Sequence, residues 1–221
     1  VNSTFGKLEK KELKHPDLPK EDPITEPIVK EVFGPTAENI SIAFRSDKIG
    51  SKEEKFVTLS DMVLAFGNAG LLELNLNQKQ VVQNAGCSPT FLNDYGFHSF
   101  YGSPKSGQSL EEVRDLLLEQ IEKLKKGEFD EWMLSAVIND LKLSQTSQYE
   151  NNTALASEYY NAFIHHQNWE DKVKFLDELK KISKQELMDF AKVFYGNNYV
   201  ITYKRKGEDK RRGGDATKKR Q

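Results

Sequence analysis

The chain of 221 residues and 25.3 kDa fits one domain with tails and leaves little room for two full-sized cores. Its hydrophobic fraction of 37% supplies enough apolar side chains for a core, which excludes global disorder. No run reaches the roughly 18 consecutive apolar residues of a membrane-spanning helix, and the first residues lack the pattern of a signal peptide. We therefore expect no membrane partner. Cys87 is the single cysteine, which excludes a disulfide framework and a zinc knuckle.

Charge is distributed unevenly along the chain. Residues 204–221 hold nine Lys and Arg against three Asp and Glu, a net charge of +6, which leaves −8 for residues 1–203 out of a total of −2. An acidic body argues against a nucleic-acid-binding face within the fold. We interpret residues 206–221 as a basic flexible tail.

The first 27 residues are interpreted as a linker from a preceding domain, because prolines recur among alternating Lys and Glu, and proline lacks the backbone donor and the freedom to form a helix. The sequence opens on Val1 rather than methionine, so we expect it to have been cut from a longer polypeptide. The four prolines of this linker are Pro16, Pro19, Pro23 and Pro27. Residues 28–205 are predicted to form the folded domain.

Strands are predicted where β-rich segments alternate between apolar and polar residues. Strict alternation from Ile40 to Phe44 predicts one buried face, as in a sheet with helices on one side only. Two later strands, separated by Pro89, Asn93 and Gly96, are predicted to pair as a hairpin. The predicted strands cover residues 28–33, 40–44, 81–87, 97–101 and 199–203.

Helices are predicted from the 3.6-residue spacing of apolar residues and from capping signals. Ser109 with Glu112 and Ser183 with Glu186 have capping-box spacing, and Asp130 is predicted to cap a third helix. The predicted helices cover residues 56–66 with a stop at Gly67, a short segment at 71–76, 110–126 with a stop at Gly127, 133–141, 153–164, 173–179 and 184–194 with a stop at Gly196. The predicted order along the chain is strands, helices, strands, helices and a final strand, and no internal repeat is present. This order predicts an α+β fold.

The four histidines do not form a metal-binding pattern. A helical zinc site needs two histidines one turn apart with a glutamate beside them, and this spacing is absent. His15 lies in the linker, and His98 in a predicted strand is interpreted as structural or exposed. His165 and His166 are adjacent, so on a helix their rings diverge by about 100°. His166 and Glu170 are one turn apart, but Asn168 and Trp169 indicate a helix end there.

Other functional motifs are also missing. A nucleophile elbow and a phosphate-binding loop are absent, and residues 102–107 are interpreted as a plain turn rather than an anion site. Acidic pairs at predicted helix starts are explained by the helix dipole. A group of aromatic residues could form a surface on which a peptide or a base stacks. Their helical spacing instead favours a place in the core for most of them. These are Tyr149, Tyr159, Tyr160, Phe163 and Trp169. From its residues alone the chain shows no catalytic constellation.

Several segments, taken in order, resemble the second domain of the pitrilysin/insulinase family of zinc metallopeptidases, which includes mitochondrial processing peptidase. Residues 4–8 and the linker resemble the end of a first domain, and residues 35–45 resemble the second strand of the next. Residues 99–127 resemble a strand followed by a helix, closed by the turn Gly127-Glu128-Phe129. Residues 182–187 resemble a helix start, and residues 199–204 the closing strand. The resemblance implies a mostly antiparallel mixed sheet with several helices packed against it.

The resemblance also implies where catalysis takes place. In the family the zinc motif lies in the first domain, and no position of this chain matches it. The arginine and tyrosine that the far half of the enzyme can add to the cleft are missing from residues 77–85. We therefore expect neither catalytic nor metal nor cofactor-binding residues here, with zinc in the preceding domain.

The resemblance then implies two kinds of partner, that zinc-binding domain and a peptide substrate, and two roles for the chain. The first is a non-catalytic domain that supports the zinc domain and lines a peptide-binding chamber. The alternative is an inactive homologue that acts as a binding or assembly subunit. The compartment stays open.

Overall fold

The computed structural model describes residues 2–9, 11–12 and 19–209. His15, Pro16 and residues 210–221 of the predicted tail lie outside the described residues. The first described segment contains a short 3-10 helix, Phe5–Lys7. Domain boundaries at residues 27 and 205 stay predictions.

A five-stranded mixed sheet forms the centre of the fold, as predicted. Its strands are β1 (Ile28–Gly34), β2 (Asn39–Ser46), β3 (Asn84–Phe91), β4 (Gly96–Ser103) and β5 (Tyr199–Lys206). The order across the sheet is β1-β5-β2-β4-β3. β1 and β5 are parallel, and the other neighbouring strands are antiparallel. β1 and β3 stand at the two ends of this order and are therefore the edge strands.

Within the described ranges six α-helices accompany the sheet, and the α+β class is confirmed. They are α1 (Lys52–Ala65), α2 (Leu110–Lys126), α3 (Trp132–Glu150), α4 (Asn152–Ile164), α5 (Trp169–Leu179) and α6 (Lys184–Phe194). The predicted short helix is a π-helical turn, Glu73–Asn77. Every helix among the described residues is too short or too polar to cross a bilayer.

Local capping explains most helix boundaries. Ser109 and Ser183 form the predicted capping boxes with Glu112 and Glu186. Gly127 ends α2 in the left-handed region, at φ 70°, which a residue without Cβ adopts freely.

The prediction that Asp130 caps α3 is wrong. The residue before α3 is Glu131, whose side chain makes no cap hydrogen bond. The carboxylate of Asp130 instead accepts a hydrogen bond from the indole N–H of Trp132 at 3.0 Å. Four residues separate Gly127 from Trp132, and the Asp130 carboxylate that binds this indole does not cap the first backbone N–H groups of α3.

The hairpin is present, but its first strand is displaced from the prediction. β3 begins at Asn84 and continues to Phe91, so Pro89 lies within the strand, opposite His98, rather than in the turn. The physical reason is that β3 is an edge strand, where a proline costs no interstrand hydrogen bond on its free side.

The core lies between one face of the sheet and the helices. Ile40, Ile42 and Phe44 of β2 are fully buried on that face, as their alternation predicts. Gly102 of β4 allows α2 to approach closely, because a Cβ at this position would be 2.6 Å from Cγ1 of Val113. Among the described residues, no such layer of buried side chains covers the opposite face of the sheet.

Candidate functional site

A buried hydrogen-bonded network joins α1, β4 and the end of α6. His98 is fully buried rather than exposed; its Nε2 lies 3.0 Å from Oδ1 of Asp61 and its Nδ1 lies 2.7 Å from the hydroxyl oxygen of Tyr195. With the proton on Nε2, the imidazole donates to the carboxylate and the phenol donates to Nδ1, which satisfies both ring nitrogens. The arrangement has the order of a catalytic relay, but Tyr195 is 1% exposed and cannot reach a substrate.

Cys87 lies next to this network. Within the described part of the chain, Asp61, Cys87 and His98 form the one group of three metal-ligating side chains, with ligand atoms within 4.8 Å of one another. Burial, and then the charge of Asp61, raises the pKa of the Cys87 thiol well above its ordinary value. A nucleophilic or metal-binding cysteine needs the thiolate instead. Because His98 and Asp61 already satisfy each other, we interpret the group as a structural link.

The paired histidines belong to the connection between α4 and α5. His165 follows the last residue of α4, and its Nδ1 lies 2.6 Å from Oδ1 of Asn93 in the β3–β4 turn. His166 has φ 52°, and Asn168 caps α5 through the N–H of Glu170. His166 and Glu170 thus lie on different elements, in agreement with the predicted helix end.

A broad cleft of about 780 Å³ adjoins this connection, α5 and the start of α1. Burial raises the pKa of Glu54 in its wall, where the carboxylate accepts the backbone N–H of Gly50. The neighbouring Lys55 and Glu178 are paired with each other, with N and O atoms 3.6 Å apart. The cleft brings opposite charges together without a nucleophile beside a base.

The two loops that the sequence singled out are held by their own hydrogen bonds. The side chain of Asn77 binds both the N–H and the carbonyl of Ala85, at 2.8 and 3.0 Å, and so fixes the π-helical turn to β3. In the turn before α2, the backbone N–H of Lys105 donates to the side chain of Gln108 at 3.1 Å. Residues 102 and 103 belong to the end of β4, and the plain turn predicted for the rest of this segment stays a prediction.

The prediction that most of the aromatic group is buried is wrong for α4. Tyr159, Tyr160 and Phe163 are 51%, 55% and 81% exposed. The helix packs on α3 and α5 rather than on the sheet, and Ala162 is its one buried residue. Tyr159 still stacks on Trp169, with ring centroids 4.2 Å apart. Periodicity predicted the helix correctly. Because α4 lies on the outside of the helical layer, however, Tyr160 and Phe163 are exposed.

Another feature that could contact a second molecule is the face of the sheet opposite the helices, here named the helix-free face. It comprises every second residue of each strand: the even positions of residues 28–34, 84–90 and 200–206, and the odd positions of residues 39–45 and 97–103. Register establishes this set, because paired residues point to the same side. Strict alternation in β2 predicted one open face, but only the register shows which residues of five strands share it.

Half of the residues on the helix-free face are small or hydroxyl-bearing, and the others include exposed apolar side chains. Ser88 and Ser99 face each other on β3 and β4, with hydroxyl oxygens 3.5 Å apart. Tyr101 is 48% exposed and its ring lies across Gly86, where a Cβ would be 2.3 Å from the phenol oxygen. The missing side chain at residue 86 thus lets an aromatic ring lie flat on the sheet. Such a surface can accept an extended segment of another chain.

Fold and site together describe an α+β domain in which the described residues form no accessible catalytic constellation. The family described as the peptidase M16 inactive domain matches residues 1–141. The chain therefore belongs to this family, which confirms the resemblance to the second, non-zinc domain of pitrilysin/insulinase-type zinc peptidases. No curated protein matches the sequence.

Solved structures share the fold at low sequence identity. A protease from Helicobacter pylori has a TM-score of 0.83 at 16% identity, over 92% of this chain and 50% of that one. A peptidase M16 inactive domain from Pseudomonas fluorescens has a TM-score of 0.72 at 13% identity, over 88% and 48%. Complex III from Candida albicans has a TM-score of 0.71 at 12% identity, over 90% and 50%. The chain thus spans about half the length of these proteins.

Proposed function

We propose that this chain is the non-catalytic domain of a zinc metalloendopeptidase, in which it supports a preceding zinc-binding domain and lines a chamber that holds peptide substrate. The observation that carries the proposal is the helix-free face. Helices cover one side of the sheet, and the other side is left open over five strands.

The chemistry of this face fits an unfolded peptide better than a small molecule. Small ligands bind in enclosed apolar pockets, whereas the helix-free face is broad and shallow. Hydroxyls of Ser88, Ser99 and Thr202 can exchange hydrogen bonds with a peptide backbone of any sequence, and Tyr101 offers an exposed ring. A chamber wall that contacts many different peptides needs such sequence-independent contacts rather than a pocket shaped for one side chain.

In this proposal the zinc and the reacting groups belong to the preceding domain, and this chain contributes shape and rigidity. The network of Asp61, His98 and Tyr195 ties α1 and α6 to β4 behind the helix-free face. Residues 1–27 are the linker that joins the two domains, and the salt bridge between Glu21 and Arg45 holds part of it against β2. The alternative is an inactive homologue that uses the same fold as a binding or assembly subunit.

Site-specific photo-crosslinking tests the proposal. A benzophenone is attached to a cysteine introduced at the exposed Ser88, and the labelled protein is irradiated with an uncharged, unfolded 12-residue peptide. The matched control carries the label at Ser135, an exposed serine of α3 in the helical layer. Cys87 contributes little background, because burial keeps its thiol protonated.

We expect the peptide to be captured at least several times more efficiently from residue 88 than from residue 135. Equal capture from both positions, or none from residue 88, would contradict a peptide-lining role for the helix-free face.

A further inference from the structure

The charges on the helix-free face all have one sign. The charged residues at its strand positions are Lys30, Arg45, Lys204 and Lys206, and none of its described positions holds Asp or Glu. Acidic residues make up 34 of 221 in the chain, so twenty positions of average composition would hold about three. The body of the protein is acidic, and this face is an exception to it.

Two of the lysines are free to meet a ligand. Lys30 and Lys206 are exposed, on neighbouring strands at the β1 edge of the sheet. Glu38, outside the strands, accepts the backbone N–H of residue 206 at 3.1 Å, and among the described residues neither ammonium forms a salt bridge. Their charges are therefore available to a segment that crosses the sheet.

The other two basic residues are held in place. The ammonium of Lys204 donates to Thr36 and to the carbonyl of Ala37, which are neutral acceptors, and no acidic side chain in the described part of the chain forms a salt bridge with it. Arg45 is paired with Glu21 of the preceding segment. The face thus combines one positive charge held by hydrogen bonds with two exposed ones. Its fourth cation, Arg45, is neutralised by a residue of the linker.

We propose that the helix-free face binds extended peptide segments that carry Asp or Glu side chains, and that it discriminates against Lys- and Arg-rich segments. This inference rests on the proposed function and adds the substrate class. A contact between unlike charges about 4 Å apart in water is worth roughly a factor of five in affinity, and a like-charge contact costs as much. Acidic and basic peptides of one length should thus differ by well over tenfold at low ionic strength.

A nucleic acid is the competing polyanion, but the surface fits it less well. Nucleic-acid interfaces gather many cations along a stripe, whereas three uncompensated lysines here lie near one edge of an acidic body. A peptide with a few carboxylates matches this number and spacing. From β1 to β3 the sheet spans about 19 Å, which an extended peptide of 12 residues covers.

The experiment uses the chain labelled at residue 88 and three 12-residue peptides that differ at four positions only, as Glu, Gln or Lys. We expect capture to decrease in the order Glu, Gln, Lys, with the difference fading at high salt. The variant Lys30→Glu should lower capture of the Glu peptide about fivefold or more. Lys52→Glu is the matched control, because it makes the same charge change in the first turn of α1, on the helical layer.

The outcomes separate this inference from the proposed function. Equal capture of the three peptides would overturn the charge preference and leave the peptide-lining role intact, whereas capture of none would overturn both. An equal loss in Lys30→Glu and Lys52→Glu would assign the effect to net charge and also overturn the inference. Stronger capture of a 12-nucleotide single-stranded DNA than of the Glu peptide would identify the ligand as nucleic acid.

Discussion

The phenol oxygen of Tyr195 lies 2.7 Å from Nδ1 of His98, and both side chains are almost completely closed off from solvent. Replacing Tyr195 by phenylalanine leaves the imidazole nitrogen without a partner in a dry site. We expect a loss of about 1–3 kcal/mol in the free energy of unfolding, measured by urea titration. Tyr199→Phe on β5 is the control and should change stability by less than about 0.5 kcal/mol. Equal stability losses in Tyr195→Phe and Tyr199→Phe would show that the hydrogen bond to His98 does not stabilise the fold.

Gly102 should not tolerate a side chain. A Cβ at residue 102 meets Cγ1 of Val113 at 2.6 Å, so Gly102→Ala should cost about 1–3 kcal/mol of stability by pushing α2 away from β4. The double variant Gly102→Ala with Val113→Ala should show favourable coupling, because the second change removes the clashing methyl groups. Additive losses in thermal or urea unfolding would show that the two positions do not touch.

The outer face of α4 should contribute little to stability. Phe163 is 81% exposed, so Phe163→Ser is expected to change the free energy of unfolding by less than about 0.5 kcal/mol. Phe44→Ala, at a position that is 1% exposed, should cost about 3–5 kcal/mol in the same urea titration. A large loss at residue 163 would mean that α4 packs inward.

Stability should fall at alkaline pH through Cys87. Burial raises the pKa of its thiol in the folded state, so above the ordinary thiol pKa of about 8.5 the unfolded chain loses a proton that the folded chain keeps. The folded state then binds more protons, and the free energy of unfolding decreases as pH rises. Cys87→Ala should lose less stability between about pH 8 and 10 than the unchanged protein. Parallel curves for the two proteins would contradict this.

Features encoded within a few residues could be predicted from the sequence. Ser109 and Ser183 cap helices through atoms three residues away, and the alternation around Ile42 reports one buried face. Misses arose where distant parts of the chain decide the outcome. The edge position of β3 explains Pro89, and the outer position of α4 explains the exposure of Phe163. Neither position is visible in local spacing.

The candidate site was predictable only in part, for the same reason. One open face follows from alternation in a single strand, but its positive charge depends on the register of five strands. Lys30 and Lys204 are far apart in sequence and become diagonal neighbours through the parallel pairing of β1 with β5, where residue 30 is opposite residue 202. The network of His98 could not be predicted, because its partners Asp61 and Tyr195 lie far away in the sequence, in α1 and at the end of α6.

The metal content of two polypeptides tests the central claim most directly. The 221-residue chain, and a longer polypeptide in which the proposed zinc-binding domain precedes it, are dialysed against metal-free buffer and analysed for zinc. We predict well under one equivalent in the chain alone and one equivalent in the longer polypeptide. One equivalent retained by the chain and lost in His98→Ala would place the metal at Asp61, Cys87 and His98 and contradict a non-catalytic, zinc-free domain. A longer polypeptide without zinc would favour the inactive assembly subunit.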